Sequence, residues 1–417
     1  PLDRIPNLTW KDGDGVRVNP HTYLPASLDY VDIRPDRVIE MMLRHRDFEG
    51  PLPFRGWWRN PIAAVFTVKG CAYECVTCGS SHTTCTHLTK RQRPVFRSPA
   101  SLVANVEAFA RLTRGPIALI GDLRMAGPAH ATEVLERLRA AGVRNEIMFE
   151  LFSAPPPEYL REIDRCVPRW SIEFSPESHD QAVRNAQEGE ADYSTGQMEA
   201  MIAEALRLRC ERFDVFFMIG LPGQTLDSVR GTVDYCEHLF RLGDARLSCY
   251  ISPMGPFLDP GSRGFEQPER FGYRLFARTL EEHRQLLVQP TWERILNYET
   301  KWMTRRELVD ATYDAAERLN GLKIRYGRIP PRRGREVAAN IAAARALRAR
   351  LEATLADGGD PDADPALHGE IARFSMSTVC DKRELFWRRG WSRFRLLEVA
   401  RILGRALRPG VSPPGRQ

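Results

Sequence analysis

The sequence lacks the features that mark membrane-spanning and secreted proteins. Its 417 residues contain no uninterrupted apolar run of the roughly 18 residues that a transmembrane helix needs. No signal peptide opens the chain. We therefore expect a cytoplasmic protein without a transmembrane segment.

The chain also has little excess charge, no internal repeats and no low-complexity segment. Its net charge is +6, and residues 381–410 alone carry nine Lys and Arg against three Asp and Glu. The remainder is close to neutral, so nucleic-acid binding is not supported by overall basicity. Trp387, Trp391 and Phe394 among the arginines of the tail leave a membrane surface or RNA as alternatives there. We favour a helix that packs its leucines on its own protein.

Cysteine is scarce outside one segment. Four of the nine cysteines lie within residues 71–85, and the other five are scattered singly. An odd total in a chain of this length does not resemble the disulfide framework of a small secreted domain. We interpret the scattered cysteines as small buried hydrophobic side chains in a reducing compartment. They are Cys166, Cys210, Cys236, Cys249 and Cys380.

Six short apolar segments rich in Ile, Val and Phe predict buried strands. Helical patterns separate them, such as the one that follows the capping box of Ser194 and Gln197. This alternation predicts an α/β fold with a parallel sheet, and right-handed crossovers curl the sheet into a partial (β/α)6 barrel. The strands are predicted at residues 62–68, 116–120, 146–152, 170–174, 214–219 and 247–252.

The segments on either side of the barrel have a different composition. The N-terminal lead-in is rich in Pro and Asp and contains one short helix, predicted near residues 36–46. In the helical C-terminal extension, residues 330–334 (PPRRG) indicate a linker and residues 335–356 a helix. A last amphipathic helix is predicted over residues 393–407, with its apolar stripe formed by Leu396, Val399, Ala400, Leu403 and Leu407. The predicted regions are a lead-in over 1–55, the barrel over 56–290 and the helical region over 291–417.

Cys71, Cys75 and Cys78 form a Cys-x3-Cys-x2-Cys motif directly after the first predicted strand. Ligands of such sheets bind at the carboxyl ends of the strands, so these thiols are expected at the mouth of the barrel. Zinc sites usually have four ligands, and a cubane 4Fe–4S cluster usually has four cysteines. Three cysteines on a cluster would leave one iron open to an exogenous ligand, which suits chemistry better than electron storage.

Two larger ligand sets remain open at this motif. Cys85 could be a fourth cluster ligand, which would close the cluster into a non-catalytic electron-transfer site. His82, Cys85 and His87 could instead join a zinc site, as in a nucleic-acid binder with a basic tail. We interpret the two histidines as polar loop residues.

This cysteine loop, after the first strand of a six-stranded β/α barrel, resembles that of radical S-adenosylmethionine (SAM) enzymes over about residues 60–255. The resemblance implies that Cys71, Cys75 and Cys78 hold a 4Fe–4S cluster whose fourth iron is chelated by SAM. Reductive cleavage of SAM would give a 5′-deoxyadenosyl radical, which abstracts hydrogen from a substrate. It does not single out a catalytic side chain.

Motifs at the second and fourth strands match the family in part. The segment LIGDLR places Gly121 and Asp122 where the family has Gly-Gly-Glu, which receives the SAM amino group; the carboxylate here is shorter. The pair Glu177 and Ser178 resembles a Glu-Ser pair near the SAM ribose, and Glu173 is the alternative on the same strand.

The fifth strand and the cysteine loop supply the remaining contacts that the resemblance implies. The segment FFMIGLPGQT resembles a turn of the cobalamin-associated branch, where Ile219, Gly220 and Gly223 would approach the adenine. The residue before the third cysteine is usually an aromatic beside the adenine. Here it is Thr77, and Tyr73 supplies an aromatic elsewhere in the loop.

The lead-in sequence IPNLTWKDGDGVRVNP resembles the connector after an N-terminal cobalamin-binding domain. The Asp-x-His-x-x-Gly motif of that domain is absent from this chain, so the resemblance implies a domain that was either cut away or lost. The resemblance implies cobalamin-linked methyl transfer to a small molecule, with a flavodoxin or ferredoxin as electron donor. Another radical SAM reaction on RNA or a peptide is the alternative.

Two further stretches have more than one interpretation. Residues 251–265 (ISPMGPFLDPGSRGF) predict a rigid loop over the barrel mouth, either a wall of the site or a structural turn. Residues 295–305 (ILNYETKWMTR) could line a pocket, although we favour a helix that packs Trp302 against the barrel.

Overall fold

The computed structural model describes residues 2–47, 63–189, 192–360, 367, 369–370 and 393–407. Its lead-in holds the antiparallel hairpin of β1 (Thr9–Asp12) and β2 (Gly15–Val18), followed by helix α1 (Pro35–His45). The predicted helix near 36–46 is thus present. The hairpin was not predicted, because its strands are only four residues long and largely exposed.

The remaining strands form one large sheet and two small ones. Their bounds are β3 (Ala63–Phe66), β4 (Val68–Lys69), β5 (Val95–Phe96), β6 (Ile117–Ile120), β7 (Ile147–Leu151), β8 (Trp170–Glu177), β9 (Cys210–Ile219), β10 (Leu247–Pro253), β11 (Tyr273–Leu275) and β12 (Tyr298–Thr300). The large sheet has the order β3-β6-β7-β8-β9-β10 and is parallel throughout. β4 pairs with β5 and β11 with β12, both antiparallel. The predicted partial barrel is confirmed.

Helices connect the strands and cover the outer face of the sheet. Their bounds are α2 (His82–Thr89), α3 (Pro99–Leu112), α4 (Pro128–Ala140), α5 (Pro157–Cys166), α6 (Gln181–Ala186), α7 (Thr195–Arg207), α8 (Leu226–Leu242), α9 (Arg263–Glu266), α10 (Pro268–Phe271), α11 (Leu280–Leu287), α12 (Trp292–Ile295), α13 (Arg305–Arg325), α14 (Pro331–Ala356) and α15 (Leu396–Ala406). Short 3-10 segments span Leu2–Arg4 and Leu123–Ala126. Within the described part of the chain, no helix is both long and apolar enough for a bilayer.

The two faces of the sheet differ in chemistry because side chains alternate along each strand. Phe149 of β7 and Ile172 of β8 belong to the main core under the helices. On the opposite, lumen-facing side, Glu150, Glu173 and Asp214 occupy one row across β7, β8 and β9. The interior of the barrel therefore carries charge at mid-height.

Two predictions for the C-terminal region are wrong. Residues 330–334 are not a linker, because α14 begins at Pro331 and proline is well tolerated in the first turn of a helix. Trp302 does not lie on a helix; it follows the short strand β12 and packs on Gly272.

The last helix packs on the protein through a face that shares only Val399 with the predicted stripe. Ile402 is fully buried against α1 and α3, whereas Leu396 and Leu407 are largely exposed. The stripe was misplaced because the partner surface, not the helix alone, decides which side is buried. Phe394 is buried beside α15; Cys380, Trp387 and Trp391 lie outside the described residues.

Candidate active site

The three cysteines of the motif lie in the loop between β4 and α2, just beyond the carboxyl end of β3. Cys75 is buried, and Cys71 and Cys78 are partly exposed. The backbone N–H of Tyr73 donates to Cys71 Sγ (3.4 Å), and that of Ser80 donates to Cys78 Sγ (3.3 Å). The backbone of the loop thus directs N–H donors at two of the three sulfurs.

The side chains of the wider ligand sets are placed differently. His82, Cys85 and His87 lie on α2, so the prediction of loop histidines is wrong. Cys85 Sγ donates to the Ser80 carbonyl (3.4 Å). Among the described residues, no three His, Cys, Asp or Glu side chains converge on a point that suits a single metal ion. In a cubane cluster, by contrast, each cysteine binds a different iron. The three sulfurs therefore need not converge on one point; it is enough that they surround the cluster.

The loop after β10, residues 254–262, lies directly against the cysteine loop. The backbone N–H of Gly79 donates to Asp259 Oδ2 (2.9 Å), and Thr84 Oγ1 donates to the Gly261 carbonyl (2.8 Å). These contacts join the carboxyl ends of the first and last strands of the sheet. The β10 loop thus extends over the barrel mouth, as its Pro and Gly content predicts.

The end of β6 holds Gly121 and Asp122, but a different carboxylate borders the glycine. Both oxygens of Asp122 are engaged, since they accept from the backbone N–H groups of Arg124 (2.9 Å) and Phe152 (3.1 Å) and pair with the Arg124 guanidinium. The Gly121 N–H donates to Glu150 Oε2 (2.6 Å). Glu150 was not singled out from the sequence, although alternation with the buried Phe149 would have turned it inward.

The two alternatives on β8, Glu173 and Glu177, differ in position, because Glu173 lies in the middle of the strand and Glu177 at its end. Glu177 lies at the last position of the strand in the left-handed backbone region, with φ of 65°. Backbone strain of this kind in a residue other than glycine is concentrated at functional sites. Burial raises the pKa of Glu177 to about 7, and the hydrogen bond from Gln187 opposes that rise. Ser178 is fully buried, and its Oγ accepts from the Asp180 N–H (3.1 Å).

The turn after β9, residues 219–223, is held rigidly from both sides. Gly220 and Gly223 have positive φ values of 103° and 77°. Gln224 Oε1 accepts from the Gly220 N–H (2.8 Å), and its Nε2 donates to the Met218 carbonyl (2.9 Å). Tyr273 of β11 donates from Oη to the Gly220 carbonyl (2.9 Å). Ile219 is buried.

Tyr73 and Thr77 complete the set predicted from the sequence. The Tyr73 ring meets Phe152 edge-on, with 6.1 Å between the ring centroids. Thr77 Oγ1 accepts from Gln187 Nε2 (3.0 Å). The structure thus places the cysteine loop and the ends of β6, β8 and β9 at the same edge of the sheet.

The row of carboxylates inside the barrel is partly neutralised. Arg212 donates from Nε to Asp214 Oδ2 (2.6 Å) and from a terminal nitrogen to Tyr250 Oη (2.9 Å). Burial raises the pKa of Asp214 to about 6, against the effect of Arg212. Burial also raises the pKa of Glu173 to about 7, and Asp214 and Glu150 add to the rise.

Replacing Glu173 by Gln should stabilise the protein at alkaline pH. Glu173 keeps its proton to higher pH in the folded state, so its stabilising effect is complete below about 4.5 and is lost as pH rises through about 7. Gln stays neutral. We therefore expect E173Q to exceed the wild type by about 1–3 kcal/mol in unfolding free energy at pH 9, and to match it near pH 4.5. Urea titrations at both pH values measure this.

The matched control is Glu133→Gln, because Glu133 lies on the surface of α4 with half of its side chain exposed. It should change stability little at either pH. A gain for E173Q that is the same at pH 4.5 and pH 9 would contradict the assignment of the raised pKa.

Comparison with known proteins gives matches at the level of structure alone. No family model and no curated protein sequence matches the chain. The radical SAM methyltransferase TsrM from Kitasatospora setae, solved with cobalamin and a [4Fe-4S] cluster bound, is similar with a TM-score of 0.51. Its sequence identity is 16%, over 79% of this chain and 64% of that chain. The chain therefore shares the fold of that structure.

Other solved radical SAM structures resemble the chain at lower TM-scores. TsrM with a tryptophan substrate and a SAM analogue bound gives 0.46 at 17% identity, over 66% of this chain and 53% of that chain. The cobalamin-dependent radical SAM enzyme OxsB with aqua-cobalamin bound gives 0.45 at 10% identity, over 97% and 64%. The chain therefore spans between 53% and 64% of the length of these proteins.

Proposed function

We propose that the chain is a radical SAM enzyme in which Cys71, Cys75 and Cys78 hold a 4Fe–4S cluster. The observation that carries the proposal is the position of the three-cysteine loop, directly beyond the first strand of a parallel six-stranded sheet with the radical SAM fold. The donor set fits the group, because thiolates are the usual cluster ligands and two of these sulfurs accept backbone N–H groups.

SAM would bind beside this loop, across the carboxyl ends of β6, β8 and β9. Gly121 and Glu150 would border its amino group, Glu177 its ribose, and the turn at 219–223 its adenine. With both groups bound, the cluster would supply the electron for reductive cleavage of the carbon–sulfur bond of SAM, which would provide the radical chemistry. The rigid turn and the strained Glu177 suit a site that is formed before its ligand arrives.

The β10 loop would shield the site from water. Its bonds to Gly79 and Thr84 hold it against the cysteine loop, so a reactive intermediate formed between them would be separated from bulk solvent. Glu173, with its raised pKa, lies lower in the barrel and would hold a proton near neutral pH. We assign it no contact with SAM.

For the reaction type, we propose cobalamin-linked methyl transfer to a small molecule. The support is the similarity to a methyltransferase that was solved with cobalamin and a [4Fe-4S] cluster, together with the connector-like lead-in. The sequence shows no RNA-binding module and no second cysteine cluster of the kind common in peptide-modifying relatives. A flavodoxin or ferredoxin would supply the electron.

The proposed function is tested with protein reconstituted anaerobically with iron and sulfide. Incubation with SAM and dithionite should yield 5′-deoxyadenosine, or S-adenosylhomocysteine when hydroxocobalamin is added. Omitting dithionite is the control and should abolish the 5′-deoxyadenosine. Protein that binds about four irons per chain and forms neither product from SAM would overturn the proposal.

A further inference from the structure

Gln187 connects two parts of the site that are far apart in the sequence. It is the C-cap of α6 and is buried, with 2% of its surface exposed. Its Nε2 donates both to Thr77 Oγ1 (3.0 Å) in the cysteine loop and to Glu177 Oε2 (2.8 Å) at the end of β8. A single amide nitrogen therefore fixes the distance between the cysteine loop and the carboxylate that borders the proposed ribose site.

The backbone around Gln187 makes the same connection. The Gln187 carbonyl accepts from the Val76 N–H (2.9 Å), within the cysteine loop. Two residues further on, Gly189 lies against the Sγ and Cα of Cys75, where a Cβ would not fit. The segment 187–189 is thus packed on the cysteine loop through both its side chain and its backbone.

The amide oxygen of Gln187 is the part of the side chain that the protein leaves unused. Oε1 is buried and accepts no hydrogen bond in the described part of the chain. A buried acceptor without a donor costs about 1–3 kcal/mol, so stability alone does not favour Gln at this position. A purely structural spacer would not need the polar atom that is left without a partner.

We propose that Gln187 is a positioning residue that sets the geometry between the cluster loop and the SAM-binding edge of the barrel. This inference rests on the proposed function. Through its two hydrogen bonds, Gln187 keeps Thr77 and Glu177 at a fixed separation. SAM bound beside Glu177 would then lie next to the cluster that the adjacent cysteines would hold. Its expected effect is on SAM affinity and on the cluster–SAM contact, and not on the assembly of the cluster.

The test compares wild type, Gln187→Leu and Thr77→Val after anaerobic reconstitution. Equilibrium dialysis with SAM measures the dissociation constant, and electron paramagnetic resonance of the reduced cluster measures the spectral shift on adding SAM. For Q187L we expect an iron content that differs from the wild-type value by no more than about a fifth. The dissociation constant for SAM should rise about tenfold, and the spectral shift should be smaller. A tenfold change corresponds to the loss of about 1.4 kcal/mol.

Thr77→Val removes one of the two hydrogen bonds without changing α6, so the test stands even if Q187L does not fold. The two changes should not add in the double variant, because both break the same connection. Asn185→Ala, an exposed position on the same helix, is the matched control and should leave SAM binding and the spectrum unchanged.

The outcomes separate this inference from the function on which it rests. If wild type binds SAM and Q187L and T77V bind it equally well with the same spectral shift, the inference is wrong and the function stands. The inference is also wrong if the variants have a lower melting temperature but unchanged SAM binding, because that result indicates a purely structural role. If wild type itself shows no SAM-dependent spectral shift, the function fails and the inference with it.

Discussion

Replacing Cys75 by Ser should remove most of the iron that the proposed cluster site takes up on reconstitution, whereas replacing Cys85 by Ser should leave it in place. Cys75 is buried at the centre of the three-cysteine loop and itself packs against Gly189. Gly79, in the same loop, is hydrogen-bonded to the β10 loop. A serine hydroxyl is a poor ligand for iron, because clusters are held by thiolates. We expect iron to fall from about four per chain to below about one.

Cys85→Ser is the matched control because it removes a thiol of the same segment. Cys85 lies on α2 and its Sγ donates to the Ser80 carbonyl, a bond that a serine hydroxyl can also make. Iron and sulfide analysis with visible absorption spectra measures both variants. Loss of the cluster in C85S would show that four cysteines bind it, and would favour the electron-transfer protein over the enzyme.

Gly220→Ala should destabilise the barrel by about 2–5 kcal/mol. An alanine at φ of 103° adopts a backbone region that costs an L-residue about 1–2 kcal/mol. Its Cβ would also lie 2.6 Å from the Oη of the buried Tyr298, and overpacking of this kind costs about 1–3 kcal/mol. The turn cannot move easily away from the tyrosine, since Tyr273 and Gln224 hold the backbone of Gly220. Urea unfolding measures the loss.

Two further variants separate the steric cost from the conformational one. Gly142→Ala has φ of 62° but open space around the added Cβ, so it should lose only about 1–2 kcal/mol. In the double variant G220A/Y298F, removal of the tyrosine hydroxyl should recover part of the stability. A loss for G220A no larger than that for G142A would contradict the close packing of Tyr298 on the turn.

The strands and the position of the cysteine loop could be predicted because both follow from local patterns. Apolar runs such as residues 146–152 are long enough to identify buried strands, and the carboxyl ends of parallel strands share one edge. In the structure, β8 continues to Glu177 and β9 begins already at Cys210, so both are longer than the predicted apolar runs. The prediction missed the additional residues because they are polar on one face. Strand length was therefore less predictable than strand position.

The connections within the site could not be predicted because they depend on contacts between distant segments. Nothing local to Gln187 indicates that it reaches Thr77, which is 110 residues away. Tyr298 belongs to a segment for which we favoured a helix, and it lies in a three-residue strand that exists only because β11 pairs with it. The inward direction of Glu150 could have been predicted from strand alternation, but its hydrogen bond with Gly121 could not.

The contact between the cysteine loop and the β10 loop has a consequence for how the protein matures. Asp259 and Gly261 follow their partners Gly79 and Thr84 by 180 and 177 residues. During translation the three thiols therefore leave the ribosome long before the segment that holds their loop in place. Iron and sulfur delivered to a partly synthesised chain would meet a cysteine loop that lacks these two hydrogen bonds. For the proposed cluster we therefore expect loading after translation, once β10 and its loop have joined the sheet.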